Sequence, residues 1–439
     1  MTSRFEKAIK KEQEIGFALS SYKMGRGFLL NWWALKRYAL QMLQRYGRLI
    51  YSKRVSEDME GFRISKAFES CGESVLMGVS DVTLRQSWTH QPYKMLNFMH
   101  CGGRTCPPCG YKLALSDVAE CMRAVTEYGY YDEERRQPKE NKSVVQLCLT
   151  MSHTKKELLR DVYADAIKAR KLFFADRSVK AVFEEMGVEA MVISTESPKG
   201  DNGWHVHPHA AMFCNTAIDA DKRAKYESDL SRVWLHMVEK VGRKCINGIG
   251  LSLDGGESLK TYLGKLAYEA AYGNYGKGDG GHSHLRTPNS ILFDSALEYY
   301  QARGRYGGID KAPADIQTNW MADTADLLEW MFVMRGKRFF RWAPNSKAVF
   351  PWLEDDEMKK LEDYENAGRD IIRILDARRI TKDLTAGELF DLSRFGIRND
   401  IKGAVAFLDE HGYKSEVLTD KIGGWYRENE DGTTSFDGN

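Results

Sequence analysis

Short runs rich in β-branched and aliphatic residues at 143–151, 190–194 and 204–213 predict strands. Between the first two, residues 155–183 carry a helical pattern. Residues 219–241 carry another, with Leu230, Val233, Trp234, Met237 and Val238 marking its apolar face. A further helix is expected from near Glu257, just after Gly255-Gly256, and the Gly-rich stretch 272–284 reads as a loop ending near Thr287-Pro288. The first sixty residues look helical. Beyond residue 310 the pattern is mainly helical, with a short basic-aromatic piece at 335–342. Strands interrupted by helices in this order predict an α+β fold with a central antiparallel sheet flanked by helices. No internal repeat is visible.

The chain has 439 residues, too many for one ordinary core, so two or three domains are expected. The pattern suggests a basic, aromatic helical region at 1–60, a cysteine-rich module at 61–115 and the α+β domain at 140–310. A mainly helical region follows at 311–427, then an acidic tail at 428–439. A formal net charge of +2 says little about partners, but its distribution says more. No acidic residue lies between Glu14 and Glu57, whereas Lys36, Arg37, Arg45 and Arg48 interleave there with Trp32, Trp33, Tyr38, Tyr46 and Tyr51. Such a segment suits a DNA backbone and its bases. It equally suits an amphipathic helix packed on a neighbouring domain with a solvated basic face. No run approaches the roughly 20 apolar residues of a membrane span, so a cytoplasmic protein without membrane contact is expected. In that reducing compartment the eight cysteines should not form disulfides.

Three of these cysteines, Cys101, Cys106 and Cys109, sit in the segment CGGRTCPPCG. A CxxC pair on a Pro-containing turn aims two thiolates at one centre, as a structural Zn²⁺ site requires. The fourth ligand is expected from Cys71, with His100 as the runner-up. The competing reading is a redox CxxC, which lacks here the flanking strand-then-helix pattern. Cys121, Cys148, Cys214 and Cys245 stand alone in apolar settings, as buried cysteines do.

The segment GWHVHPHAAMF places His205, His207 and His209 at alternate positions. On a strand all three would share a face, with neighbours roughly 7 Å apart, so one adjacent pair can converge on a metal ion. His207 belongs to either pair. Pro208 weakens a ladder position between the last two, yet the apolar continuation favours His207 with His209. A third ligand must come from elsewhere.

In the helix expected near residue 257, Tyr262, Lys265 and Glu269 fall on one stripe. A phenol, with a free pKa of about 10, becomes a nucleophile when a cation stabilises the phenolate and a base takes its proton. Lys265 could supply the charge, and Glu269 could accept the proton from Tyr262 or from a later hydrolytic water, or complete the metal shell. The bland alternative packs Tyr262 into a core beside an exposed Lys265–Glu269 ion pair.

Taken in order, the C…C-x4-C-P-x-C cluster, the Leu147–Thr150 run, His207-Pro208-His209, Tyr262-x-x-Lys265, Arg286-Thr287-Pro288 and GKRFFRWAP resemble the plasmid and phage rolling-circle replication initiators of the HUH endonuclease superfamily. The resemblance spans roughly residues 65–350. It implies an HUH-type nuclease domain in which the histidines hold Mg²⁺ or Mn²⁺ and Tyr262 nicks single-stranded or hairpin origin DNA through a 5′-phosphotyrosine link. It also implies a host helicase and polymerase as partners. Leu266 stands one turn after Tyr262, which favours a single-tyrosine scheme. Ser258 stands where related initiators carry the terminating glutamate, with Glu257 one position earlier and Glu269 better placed by helical geometry. A transposase of the same chemistry fits the same motifs, and a non-catalytic zinc-containing DNA-binding protein fits the cysteines alone.

Overall fold

The computed structural model describes residues 35–44, 65–72, 75–86, 93–128, 131–132, 137–138, 142–245, 250–255, 285–354, 356–366, 368–384, 386–396, 398–418, 426–428 and 434–436. Its principal elements, in chain order, are α1 (residues 35–44), β1 (Val82–Gln86), β2 (Lys94–Met95), α2 (Pro107–Tyr128), β3 (Ser143–Leu149), α3 (Leu159–Ala175), α4 (Arg177–Glu185), β4 (Val188–Glu196), β5 (His207–Cys214), α5 (Ala220–Lys240), β6 (Leu251–Asp254), α6 (Pro288–Tyr306), α7 (Ala314–Met334), β7 (Phe340–Trp342), β8 (Arg369–Ile374), α8 (Ile401–Glu410) and β9 (Ser415–Val417). The fold is thus mixed α and β with antiparallel sheets. Two compact units share the chain: one draws on residues 1–109, 293–325 and 358–439, the other on 110–292 and 326–357.

The second unit is built on a five-stranded sheet in the order β6-β3-β5-β4-β7, every pairing antiparallel. The histidine-bearing strand β5 is central. Register fixes its faces: His209 lies opposite Cys148 on one side and Ser194 on the other, and His207 lies opposite Glu196. Because side chains alternate, Ala211 and Phe213 follow the histidines on the same face. There they join Val144, Val192, Phe340 and Trp342 and pack against Ala124, Val125 and Tyr128 of α2. Tyr128 meets Phe213 edge-on at a centroid distance of 5.3 Å. This face is therefore apolar at one end and polar at the other. Helices α3 and α5 pack on each other, with α3 against β5 and α5 against β6. Both faces of the central strand are covered, which is why its continuation AAMFC is apolar throughout.

The first unit has a four-stranded antiparallel sheet, β9-β8-β1-β2, backed by α8. Val82, Leu84, Ile372, Ile374, Leu392 and Leu408 form its core. In a separate packing of α1 on α6 and α7, the buried Tyr38 hydroxyl bonds to Ser295 and Thr324 and accepts from the Trp320 indole at 3.0 Å. Burial pushes the Tyr38 phenol well above its ordinary range.

Several boundaries differ from expectation. The helical pattern at 155–183 is two helices, because Asp176 ends α3 and caps α4 by accepting from the Ser178 N–H at 2.8 Å. The expected strand 204–213 is broken: Gly203–Trp204 pairs in a small hairpin with Lys199–Gly200, and β5 begins only at His207. The described residues after 310 are mostly helical, but short strands run among the helices. They supply β7 to one sheet and β8 and β9 to the other. The strand β6 was not expected at all.

Candidate active site and candidate metal centre

The four cysteines singled out from the sequence converge. Cys71 caps the short helix Lys66–Ser70, which starts where the Ser65 hydroxyl accepts from the Phe68 N–H. A backbone bond from Gly72 N to Met99 O at 2.8 Å ties this segment to the one that leads into Cys101. The tight turn there uses Gly102 at φ +65°, and Cys106 N donates to Gly103 O at 3.0 Å just before α2 begins. Cys109 therefore lies in the first turn of α2, where the helix dipole favours a thiolate.

The sulfur pairs Cys71–Cys109, Cys71–Cys106 and Cys101–Cys109 are 3.4, 3.5 and 3.9 Å apart. Tetrahedral zinc with Zn–S near 2.3 Å puts sulfurs about 3.8 Å apart, whereas a disulfide needs about 2.05 Å. All four are free thiols. Among the described residues they are the one group of three or more His, Cys, Asp or Glu donors lying within 4.8 Å of each other, so this cluster can hold a metal such as zinc. His100, with Nδ1 3.9 Å from Cys109 Sγ, stands beside the set that Cys71 completes. Without a metal the thiols share protons. Hydrogen bonds from the other cysteines hold Cys71 toward thiolate, and burial, reinforced by the neighbouring sulfurs, keeps Cys106 protonated. A dication would stabilise all four as thiolates.

The histidines form a second polar cluster, at the polar end of the β5 face. Delivery of the strand rests on local anchors. Gly203 adopts φ +99°, and a Cβ there would meet Thr154 O at 2.7 Å, so only glycine lets this hairpin approach. Trp204 is fully buried, its indole donating to Glu329 Oε2 at 2.9 Å while Glu329 Oε1 accepts the Leu159 N–H at 2.6 Å. Lys199, across the hairpin, holds its ammonium 4.7 Å above the Trp204 ring and 3.1 Å from Asp326.

Beyond these anchors His207 and His209 share a face, with ring centroids 5.8 Å apart. His209 Nε2 lies 3.6 Å from Glu196 Oε2. Burial opposes a charge on His209, but the Glu196 carboxylate and the Cys148 thiol outweigh it and push its pKa up to about 10. His205 is outside the strand, contrary to the expectation of three histidines in one ladder. It still stacks edge-on with His207 at 3.6 Å between centroids. His205 Nδ1 lies 2.6 Å from His153 Nε2, and His153 Nδ1 lies 3.0 Å from the Asn202 carbonyl oxygen. A carbonyl only accepts, so His153 Nδ1 donates and its Nε2 accepts from His205.

Glu196 and His153 were not singled out from the sequence, and Cys148, expected there as an isolated buried cysteine, is only partly buried and lies opposite His209. Each reaches the cluster through strand pairing or a loop return that no local pattern reveals. Tyr262, Lys265 and Glu269, with Ser258 and Glu257, lie outside the described residues, as do Arg45 and Arg48. Arg286, just before α6, pairs its backbone with Lys199 in both directions at 2.7 and 2.8 Å. Of the basic residues expected to meet DNA, Lys36 is fully buried and its ammonium donates to Glu69 O at 2.8 Å. Arg37 donates to Thr381 O at 2.7 Å. Both serve the packing of α1 within the first unit, so neither lies on the solvated basic face that either reading of this segment expected. No described helix is long and apolar enough to cross a membrane. No protein-family model, no curated protein and no solved structure matches the chain.

Proposed function

We propose that this protein nicks and rejoins single-stranded DNA at a replication origin, with Tyr262 as nucleophile. The observation that carries the reading is the polar end of the central strand. His207 and His209 project from one face there, with Glu196 on the adjoining strand 3.6 Å from His209. Two imidazoles and a carboxylate are donor types suited to Mn²⁺ or Mg²⁺, and Glu196 is the candidate for the third ligand that the sequence left unassigned; the three side chains lie wider apart than the thiol set and would have to close on the ion. When bound, the ion polarises the scissile phosphate and offsets charge in the transition state.

The remaining chemistry belongs to the chain's own residues. The Tyr262 oxygen attacks phosphorus, the bond to the 3′ oxygen breaks, and that oxygen leaves as a hydroxyl on taking up a proton. The phenol's own proton goes to a base, for which Glu269 is the candidate, and Lys265 stabilises the phenolate. The product is a 5′-phosphotyrosine link and a 3′-hydroxyl that a host polymerase can extend, with a host helicase opening the duplex ahead. Reversal of the same transfer rejoins the strand. The four-cysteine cluster would carry a structural zinc, and the cytoplasm is the compartment in which this chemistry belongs.

The test is a denaturing gel. Wild-type protein with Mn²⁺ and single-stranded DNA from its own replicon should give a covalent adduct and a shortened strand, and Tyr262→Phe should give neither. An adduct that persists in Tyr262→Phe would sink the assignment. The convergence of the four thiols also suits a non-catalytic zinc protein. In that case the oligonucleotide is retarded on a native gel and never cut.

A further inference from the structure

On the face of the five-stranded sheet turned away from the histidines, two arginines share a side of the sheet with no carboxylate paired to either among the described residues. Arg170 of α3 is 7% exposed, and its Nη1 donates to Thr195 Oγ1 at 2.9 Å. Its Nε is buried and meets no hydrogen-bond acceptor. The charged or ionisable groups that act on it are Arg341 of β7 and the phenol of Tyr163 of α3. Burial first, and then Arg341, pull the Arg170 pKa down to about 10. Register places Arg341 opposite Ile193, and therefore on the same side of the sheet as Thr195. Arg341 is exposed and belongs to an edge strand. Among the described residues, neither arginine forms an ion pair with a carboxylate.

Burying one guanidinium beside another is costly unless an anion compensates both. The donors on this side are the unpartnered Nε of Arg170, the exposed guanidinium of Arg341, and the hydroxyls of Tyr163 and Thr195. That set fits a tetrahedral oxyanion better than a planar carboxylate, because it offers donors from several directions. The approach is also electropositive. The run RGKRFFR from Arg335 to Arg341 holds four cations and no acid, and Lys337 and Arg338 are exposed.

We propose that Arg170, Arg341, Tyr163 and Thr195 form a phosphate-binding site on the sheet face opposite the histidine strand. The phosphate is either a phosphodiester of a nucleic-acid strand or a free phosphate ion. The site is independent of the nicking chemistry, so Tyr262→Phe should leave it intact.

The experiment uses the full chain. Thermal unfolding is followed while inorganic phosphate is titrated against chloride at matched ionic strength, and binding of a labelled single-stranded oligonucleotide is followed by anisotropy. Arg341→Gln is the main variant, since an exposed side chain can be changed without emptying the core. Lys337→Gln is the control for general charge. Phosphate should raise the wild-type unfolding midpoint, and Arg341→Gln should weaken this response about tenfold or more, with Lys337→Gln close to wild type. If the oligonucleotide competes with phosphate and also loses affinity in Arg341→Gln, the phosphate belongs to the strand. If phosphate alone responds, the ligand is the free ion. The site is overturned by equal behaviour of Arg341→Gln and Lys337→Gln, or by no response of the wild type to either probe.

Discussion

At the scale of single residues, the Glu196–His209 pair is the most consequential contact that strand pairing creates. The carboxylate is 19% exposed and the imidazole 11%, so solvent screens the pair only weakly. Glu196→Gln keeps the shape and removes the charge. If Glu196 completes a metal site, this variant should need about 10–100-fold more Mn²⁺ for half-maximal nicking, while its unfolding midpoint stays near that of wild type. An unchanged Mn²⁺ requirement would remove Glu196 from the site. His153→Ala probes the next link. Its Nε2 accepts from His205 and orients that ring beside His207, so nicking should fall while the Mn²⁺ requirement changes less than in Glu196→Gln. A requirement shifted as far as in Glu196→Gln would make His153 a ligand instead.

At the scale of elements, the hairpin that precedes β5 sets where the histidines begin. Gly203→Ala places a methyl 2.7 Å from the Thr154 carbonyl oxygen at a φ of +99°, where side chains are strained. The expected cost is about 1–3 kcal/mol, read as a lower urea midpoint, with loss of nicking as His205 is displaced. Neutrality in both measurements would mean the hairpin shifts without strain. This element also shows what was legible in the chain. The alternation of His205, His207 and His209 announced a strand with a chemical face, and the CxxC spacing announced converging thiols. Invisible were the break at 205–206, set by Gly203 and the Trp204 anchor, and the identity of the neighbouring strands. Glu196 reaches His209 only because β4 pairs with β5 in one particular register. The second sheet was hidden for a related reason: β1 and β8 pair across about two thirds of the chain, Val82 with Ile374. Each strand alone is a run of five or six residues set among helical patterns. Asp176 was hidden differently, since one capping residue inside a continuous helical period splits it without altering the period.

At the scale of the whole molecule, the two units stand on different supports, and metal removal should separate them. The second unit is held by an apolar sheet covered on both faces, with bulky side chains such as Trp204, Phe213 and Trp234 almost completely buried. In the first unit, the segment from Ser65 to Cys109 holds, among its described residues before α2, only short elements, a helix of five residues and strands of five and two, of which only the strands send side chains into the sheet core. A zinc bound by four thiolates ties Cys71 to Cys101, Cys106 and Cys109 and so closes this segment on itself. The protein should therefore carry one zinc per chain by elemental analysis, retained in His100→Ala and lost in Cys71→Ser, because His100 stands beside the sulfur set and Cys71 within it. Hydrogen exchange then tells the units apart. On chelation, amides of β1 and β2 and the turn at Gly102 should lose protection, while those of β3 and β5 keep theirs. Loss of protection in β5 to the same extent would show that the two units unfold as one. Full protection everywhere after complete zinc removal would show that the thiol cluster is not a structural support. Because the proposed nuclease residues lie outside that cluster, chelation with an agent selective for zinc should spare the Mn²⁺-dependent reaction until the first unit unfolds.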